Sequence, residues 1–326
     1  MNATAEQRVK VLSVVGAGRS GTTVLASILG EVDGFVGAGE LRWLWERGVV
    51  GGRPCGCGAA PLECPVWAPV ITRTLGGLGR AATAEGVVDV VAAQHEVADW
   101  RHYPRLLRSV DGDDRGWGAL RLVRAVTGAA CAALAGTTGA RVLVDTSKRP
   151  ADTAVLAGIP GVDLYVLHLV RDPRAVVHSW RRAKEYTAGG RTGTIGTRGL
   201  AGTVRRWTSN GLSAEALRRR LPASRWLFLR YEDFVAGPAP AVERILAHLH
   251  EPGPAPFTDD QTVALHPNHI VAGNPSRFVT GSVAISADDE WRRAMSGRDQ
   301  RLVGLMTLPL ALRYGYPPFV RGGGAR

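Results

Sequence analysis

The run Gly16-Ala17-Gly18-Arg19-Ser20-Gly21-Thr22-Thr23 constrains this chain more than any other stretch. It follows a short β-branched segment, Lys10 to Val15, and leads into Thr22 to Leu29, where apolar residues recur at helical spacing. Strand, glycine loop and helix in that order form the first half of a β-α-β unit. Glycines let backbone N–H groups curl around an anion, and the free N–H groups and dipole at the helix start add positive potential. The spacing therefore predicts a phosphate or sulfate site in this run.

Which anion is not settled by this loop. Gly16, Gly18 and Gly21 also satisfy the dinucleotide fingerprint, and an acidic residue, Glu40, follows about twenty positions on. Yet Glu40 does not end a recognisable second strand, and Arg19 puts a charge into a turn that dinucleotide folds keep small. The stretch nearly matches the P-loop of kinases and NTPases as well, except that Thr22 stands where a lysine should reach the outer phosphates. Arg19 would have to supply that charge. NAD binding, P-loop phosphoryl transfer and a plain glycine turn all remain open on this motif alone.

The rest of the chain narrows the class. With 326 residues, 45% hydrophobic and 21% charged, it is expected to be one α/β domain over residues 1–326, with insertions. The net charge of +11 favours an anionic partner such as a nucleotide, nucleic acid or membrane surface. The basic residues are nearly all arginine and are spread along the chain, so no polybasic tail marks a nucleic-acid arm. The first apolar stretch, Val11 to Val15, is too short for a signal or membrane segment, and a cytoplasmic protein without a membrane span is expected. Arg141 to Val144, Leu164 to Val170 and Trp226 to Leu229 are nearly continuously apolar, as parallel strands covered on both faces tend to be. Helical periodicity marks Ala151 to Ala157, Ala175 to Ala183 and Pro240 to Leu249. Residues 70–135 read as mostly helical, Ala188 to Gly202 as a mobile stretch rich in glycine and threonine, and Gly322 to Arg326 as disordered. The first two are the natural places for recognising a second substrate.

A second motif follows the strand that ends at Val170. In Arg171-Asp172-Pro173-Arg174-Ala175-Val176-Val177-His178-Ser179-Trp180, Asp172 suits a helix N-cap and Pro173 the first helical turn. Arg171 at the strand end and Ser179 on the helix face can then converge on one anion, and a guanidinium with a hydroxyl suits a terminal phosphate.

Taken together, these motifs resemble the sulfotransferases that use 3′-phosphoadenosine 5′-phosphosulfate. Gly18 to Thr23 is similar to their 5′-phosphosulfate loop, and Arg171 with Ser179 to their 3′-phosphate motif. Arginine in the loop, with Gly39-Glu40-Leu41-Arg42 after it, is most similar to the tyrosylprotein sulfotransferases and to bacterial sulfotransferases of small metabolites or glycans. Asp145-Thr146-Ser147-Lys148, Arg230-Tyr231-Glu232-Asp233-Phe234 and Gly273-Asn274-Pro275-Ser276-Arg277, with Trp291, complete the resemblance in the expected order. It implies a P-loop-like α/β fold: a mainly parallel sheet flanked by helices, with helical insertions forming the acceptor cleft. Within it, 8–50 would hold the phosphosulfate loop and base, 51–135 a cysteine-rich turn and helical insertion, and 140–320 the 3′-phosphate site and C-terminal helices.

The resemblance also implies roles. Glu40 would be the general base, with His168 as a competitor because animal cytosolic sulfotransferases use a histidine. Arg19 and Lys148 would offset charge on the bridging oxygen, helped by Thr22 and Thr23, while Arg171, Ser179, Tyr231 and Arg277 would hold the 3′-phosphate. Arg42 either assists Glu40, grips the acceptor or is a solvated helix arginine. A hydroxyl-bearing small molecule or glycan is the implied acceptor; no metal and no nucleic acid is required. Trp180, Trp207 and Trp291 read as core rather than as platforms for a base.

The cysteines are left over. Cys55, Cys57 and Cys64 crowd into ten residues without an adjacent fourth ligand, although Cys131 or His95 could supply one. A tight turn, a local disulfide and a zinc site all fit that spacing. His266 and His269 read as a solvated pair in a loop.

Overall fold

The computed structural model describes residues 8–188, 191–251 and 253–317, without the side chains of 184–193 and 195. The chain opens with β1 (Val9–Val15), α1 (Thr22–Leu29) and β2 (Phe35–Gly39), then four helices, α2 (Trp67–Gly76), α3 (Val88–Val97), α4 (Tyr103–Arg108) and α5 (Gly118–Thr138). Next come β3 (Val142–Lys148), α6 (Pro150–Ala157), β4 (Val162–Val170), α7 (Pro173–Arg181), the hairpin β5 (Lys184–Ala188) and β6 (Arg191–Ile195), and α8 (Leu200–Arg218). The last part holds β7 (Trp226–Arg230), α9 (Tyr231–Ala236), α10 (Pro238–His248), the hairpin β8 (Thr262–Leu265) and β9 (Gly281–Ala284), and three short helices, α11 (Trp291–Ala294), α12 (Gly297–Met306) and α13 (Leu308–Arg313).

Five strands form one parallel sheet in the order β2-β3-β1-β4-β7. The chain leaves central β1 for the edge, returns through β3 and then crosses to β4 on the other side, so the strand order reverses at β1. Ligands of open α/β sheets collect at the carboxyl ends of the strands around such a reversal. Side chains alternate across the pleat. Val11, Val15, Leu143 and Val166 face a layer made of α2, α3, α5 and α6, whereas Leu12, Val14, Val144, Leu167 and Leu169 face α1 and α10.

The expected α/β class and the central strands are found, with three adjustments. Glu40 does follow a strand: β2 ends at Gly39, and its sequence Phe-Val-Gly-Ala-Gly conceals it because only one residue is β-branched. Strand β3 runs on past the expected end at Val144 to Lys148, and Tyr231 opens α9. The helical insertion supplies α2, α3 and α5 to one layer of the domain, which α6 completes. Helix α5 is long and apolar enough to cross a membrane by length and composition, and its apolar side is packed in this layer. Part of the stretch from 188 to 202 and the tail Gly322 to Arg326 lie outside the described residues. Thr192, Thr194 and Ile195, which suit a strand, pair in the β5–β6 hairpin.

Candidate active site

At the carboxyl end of β1 the chain turns through Arg19, at φ 73°, and Gly21, at φ 80°, into α1. Four non-glycine residues are left-handed among those described, and Arg19, Lys148 and Ala272 are three of them. All three border this site, as expected where strain is held by function. Gly21 has a packing reason as well, since a Cβ there would lie 2.8 Å from the Tyr231 ring. Helix α1 has no side-chain cap and no acidic residue in its first turn, which leaves its positive end available to an anion.

Arg19 is 4% exposed yet has no carboxylate partner among the described residues. Its Nη1 donates to Asn274 Oδ1 at 2.9 Å, while Nε and Nη2 have no partner, and neither does the buried Ser20 hydroxyl. Burial first, and then Arg198, pull the guanidinium below its ordinary pKa. Trp180 is in contact with both arginines, with Arg19 4.8 Å and Arg198 4.1 Å from its ring centre. Its indole donates to Gly18 O at 3.3 Å, so Trp180 braces the loop directly.

The ends of β2 and β3 meet beside this loop. Glu40 Oε1 accepts from Lys148 Nζ in a tight, mostly buried ion pair. A Cβ on Gly273 would sit 3.1 Å from Thr23 Oγ1 and 3.7 Å from Glu40 Oε1, so the loop threonine and the carboxylate flank one point. The backbone around Glu40 is fixed on both sides. Glu40 N donates to Val271 O at 2.8 Å, and Gly39 lies so close to Val271 that a Cβ there would meet its carbonyl oxygen at 2.3 Å. On the other side Asp145 Oδ1 accepts from Leu41 N at 3.2 Å and from Ser147 Oγ at 2.6 Å. Burial, with Asp152 adding to it, raises the Asp145 carboxyl to about 7. Arg42 is buried, not a solvated helix residue. It stacks on Trp43 at 4.5 Å, lies 3.8 Å from Asp152 and lines a cavity with Gln94, Val97, Ala98 and Val123.

The second motif caps β4. Asp172 accepts from Arg174 N at 2.9 Å and starts α7, as its sequence implies. Arg171 Nη1 donates to Arg19 O at 2.9 Å, and its Nη2 meets Asp288 O at 2.8 Å and Asp288 Oδ2 at 3.0 Å. Its guanidinium lies 4.3 Å from the Tyr231 ring centre. Tyr231 therefore touches both motifs. Ser179 is buried on α7, and no hydrogen bond joins it to Arg171 among the described residues.

Other expectations fare unevenly. Arg277 donates to the carbonyls of Gly273 (3.0 Å), Asn274 (3.3 Å) and Pro54 (3.3 Å), so it holds its own loop, while its neighbour Asn274 reaches Arg19 and Thr23. Trp207 and Trp291 are core residues, as expected. His168 is enclosed by Trp226, Phe228 and Tyr314, and burial lowers it to about 4. Three contributors were not among the candidates: Asn274, Arg198 and Asp288. Asn274 lay within a quoted motif, but Arg198 and Asp288 follow loops whose path no local pattern announces.

A model of the sulfotransferase family matches residues 81–255, over half of the chain. The chain belongs to the sulfotransferase family. The matched span carries Lys148, Arg171, Ser179 and Tyr231, and the Gly16 to Thr23 loop and Glu40 lie upstream of it. Among solved structures this sulfotransferase is similar to the sulfotransferase domain of the Synechococcus PCC 7002 olefin synthase. The two share 18% identity over 97% of this chain and 98% of that one, with a TM-score of 0.52. The sulfotransferase domain from the curacin biosynthetic pathway is 15% identical over 95% and 98% of the two chains, with a TM-score of 0.51. At such identities the likeness is one of fold. A search of curated proteins gives no match.

The cysteines of this sulfotransferase do not remain a local turn. Cys55, Cys57 and Cys64 gather with His269, whose Nδ1 is 3.1 Å from Cys64 Sγ. His269 is thus no solvated loop histidine. The fourth residue is neither Cys131, buried in α5 with its thiol pushed up to about 12 by burial, nor His95, which pairs with Glu46 at 3.0 Å.

Proposed function

We propose that this enzyme moves the sulfuryl group of 3′-phosphoadenosine 5′-phosphosulfate in line to an acceptor hydroxyl, with Glu40 as general base. One observation carries the reading: Arg19 is buried in a left-handed glycine loop, with two guanidinium nitrogens and the adjacent Ser20 hydroxyl unpaired, beside the Glu40–Lys148 pair. Orphaned buried donors are costly, and an anion whose oxygens meet them relieves that cost. The donor supplies an activated sulfuryl group on its 5′-phosphate. Glu40 takes the acceptor proton as the new oxygen–sulfur bond forms, and the electron pair of the broken bond stays on the departing phosphate. Lys148 and Arg19 stand where that charge grows, and Thr23 borders the same point. Arg171, stacked on Tyr231, is suited to the 3′-phosphate, and Arg42 with its cavity to the acceptor side. An acceptor that is a small molecule or glycan suits this enclosed arrangement.

The deciding experiment is calorimetric titration with 3′,5′-adenosine bisphosphate, with NAD and Mg-ATP alongside, on wild type and Arg171→Ala. The bisphosphate alone should bind, and the variant should lose about 30-fold or more in affinity, the low end expected for truncating one side of a buried charge pair. Preference for NAD or ATP, or an indifferent variant, would reject the reading.

A further inference from the structure

The sulfhydryl cluster is distinct from the Arg19 loop and has its own chemistry. The four candidate ligand atoms, Cys55 Sγ, Cys57 Sγ, Cys64 Sγ and His269 Nδ1, lie within 4.8 Å of one another. Neighbouring pairs are 2.9 Å (Cys55–Cys57), 3.8 Å (Cys57–Cys64) and 3.1 Å (Cys64–His269) apart. Zinc bonds of about 2.3 Å to sulfur and about 2.0 Å to nitrogen place tetrahedral ligands roughly 3.5 to 3.8 Å from each other. The four atoms thus need to move by little to enclose one ion.

The surroundings hold them in place. Cys55 and Cys64 are buried, and Trp67 donates its backbone N–H to Cys64 Sγ at 3.4 Å and its indole N–H to His269 O at 2.6 Å. The loop that carries Cys57 closes through Cys55 N, which donates to Ala59 O at 2.9 Å, and Gly58 N, which donates to Cys55 O at 2.9 Å. A disulfide between two of the thiols would leave both the histidine and the third thiol without a purpose in the cluster.

We infer that Cys55, Cys57, Cys64 and His269 form a structural site for one zinc ion. Three thiolates and one imidazole are a donor set suited to zinc, and four protein ligands close the coordination shell, which marks the site as structural rather than catalytic. The ion staples the cysteine turn to a segment 205 residues away that serves the phosphate loop. Gly56 N donates to Ile270 O at 3.0 Å, Val271 O holds Glu40 N, and Asn274 reaches Arg19 and Thr23. Losing the ion would free this segment and with it the backbone that aims Glu40.

The test reads metal rather than turnover, so it stands apart from the donor assignment. Wild-type protein, purified under reducing conditions from zinc-supplemented cells, is assayed by plasma mass spectrometry. It is then demetallated and titrated with Co²⁺. One zinc per chain and a cobalt spectrum with thiolate charge-transfer bands and strong tetrahedral visible bands are expected. Cys57→Ser and His269→Ala should weaken cobalt affinity at least tenfold, and Cys131→Ser should leave it unchanged. The cobalt titration of wild type decides the matter even if the variants fold poorly. A wild-type chain that takes up neither metal, or one that yields a Cys55–Cys57 disulfide peptide after reduction-controlled purification, overturns the site.

Discussion

The carboxyl ends of β1 and β4 each bury an arginine, and the two stand in opposite electrostatic circumstances. Among the described residues the Arg19 guanidinium has one neutral hydrogen-bond partner, Asn274, and two unpaired nitrogens. Arg171 already carries the carboxylate of Asp288, the carbonyl of Asp288 and the carbonyl of Arg19, and of its guanidinium nitrogens Nε is left unpaired. An anion arriving at Arg19 meets donors whose desolvation folding has already imposed, so most of the new interaction is gain. One arriving at Arg171 Nη2 competes with a carboxylate, so the gain there is a difference between two partners. On the proposed reading, an anion therefore gains more at the β1 end than at Arg171 Nη2. The hydrogen bond from Arg171 to Arg19 O ties the second end to the left-handed turn of the first.

The largest effect should come from Glu40, at the β2 end beside the β1 loop. Glu40→Gln removes a proton acceptor while keeping shape, and turnover should fall by about 10²- to 10⁴-fold. Bisphosphate affinity should hold, the reverse of the split expected for Arg171→Ala. Steady-state kinetics beside calorimetry reads both, and retained turnover would take Glu40 out of the mechanism. A smaller effect of opposite sign is expected at the β4 end. Asp288→Asn should tighten bisphosphate binding by up to about fivefold, the scale of a half-exposed ion pair. That gain should vanish in an Arg171→Ala background. If Asp288→Asn weakens binding instead, the carboxylate organises the site and does not compete for it.

The contrast between these two ends was only half readable from the residues. Gly18 to Thr23 and Arg171 to Ser179 announce anion sites because glycine turns, N-caps and strand ends are local properties. Asp288 is 117 residues from Arg171, and only tertiary packing brings them together. Strand β2 was hidden for a related reason: Gly37 and Gly39 are required by close approach of another backbone, and they erase the β-branched pattern by which strands are recognised. His269 escaped because a metal site with three ligands in one turn and the fourth beyond 200 residues shows only its first part in sequence. Arg277 shows the converse, since its motif was visible but its guanidinium turns to three backbone carbonyls of loops it holds together.

The smallest effect on turnover should come from His168, and it bears on which strand carries the base. His168 sits on β4 among three aromatic rings, 2% exposed, and burial lowers it from 6.5 to about 4, with Arg218 and Arg313 acting in the same direction and Glu215 against it. Between those two values the unfolded chain binds the proton and the folded chain does not, so stability is lost as pH falls through this window and is constant above it. His168→Phe keeps an aromatic ring in an aromatic enclosure and removes the titrating group. Turnover at neutral pH should be unchanged, and urea unfolding at pH 7 and pH 4.5 should show a smaller acid loss than wild type. A variant with much reduced turnover and a displaced pH–rate profile would instead move the base from the β2 end to β4.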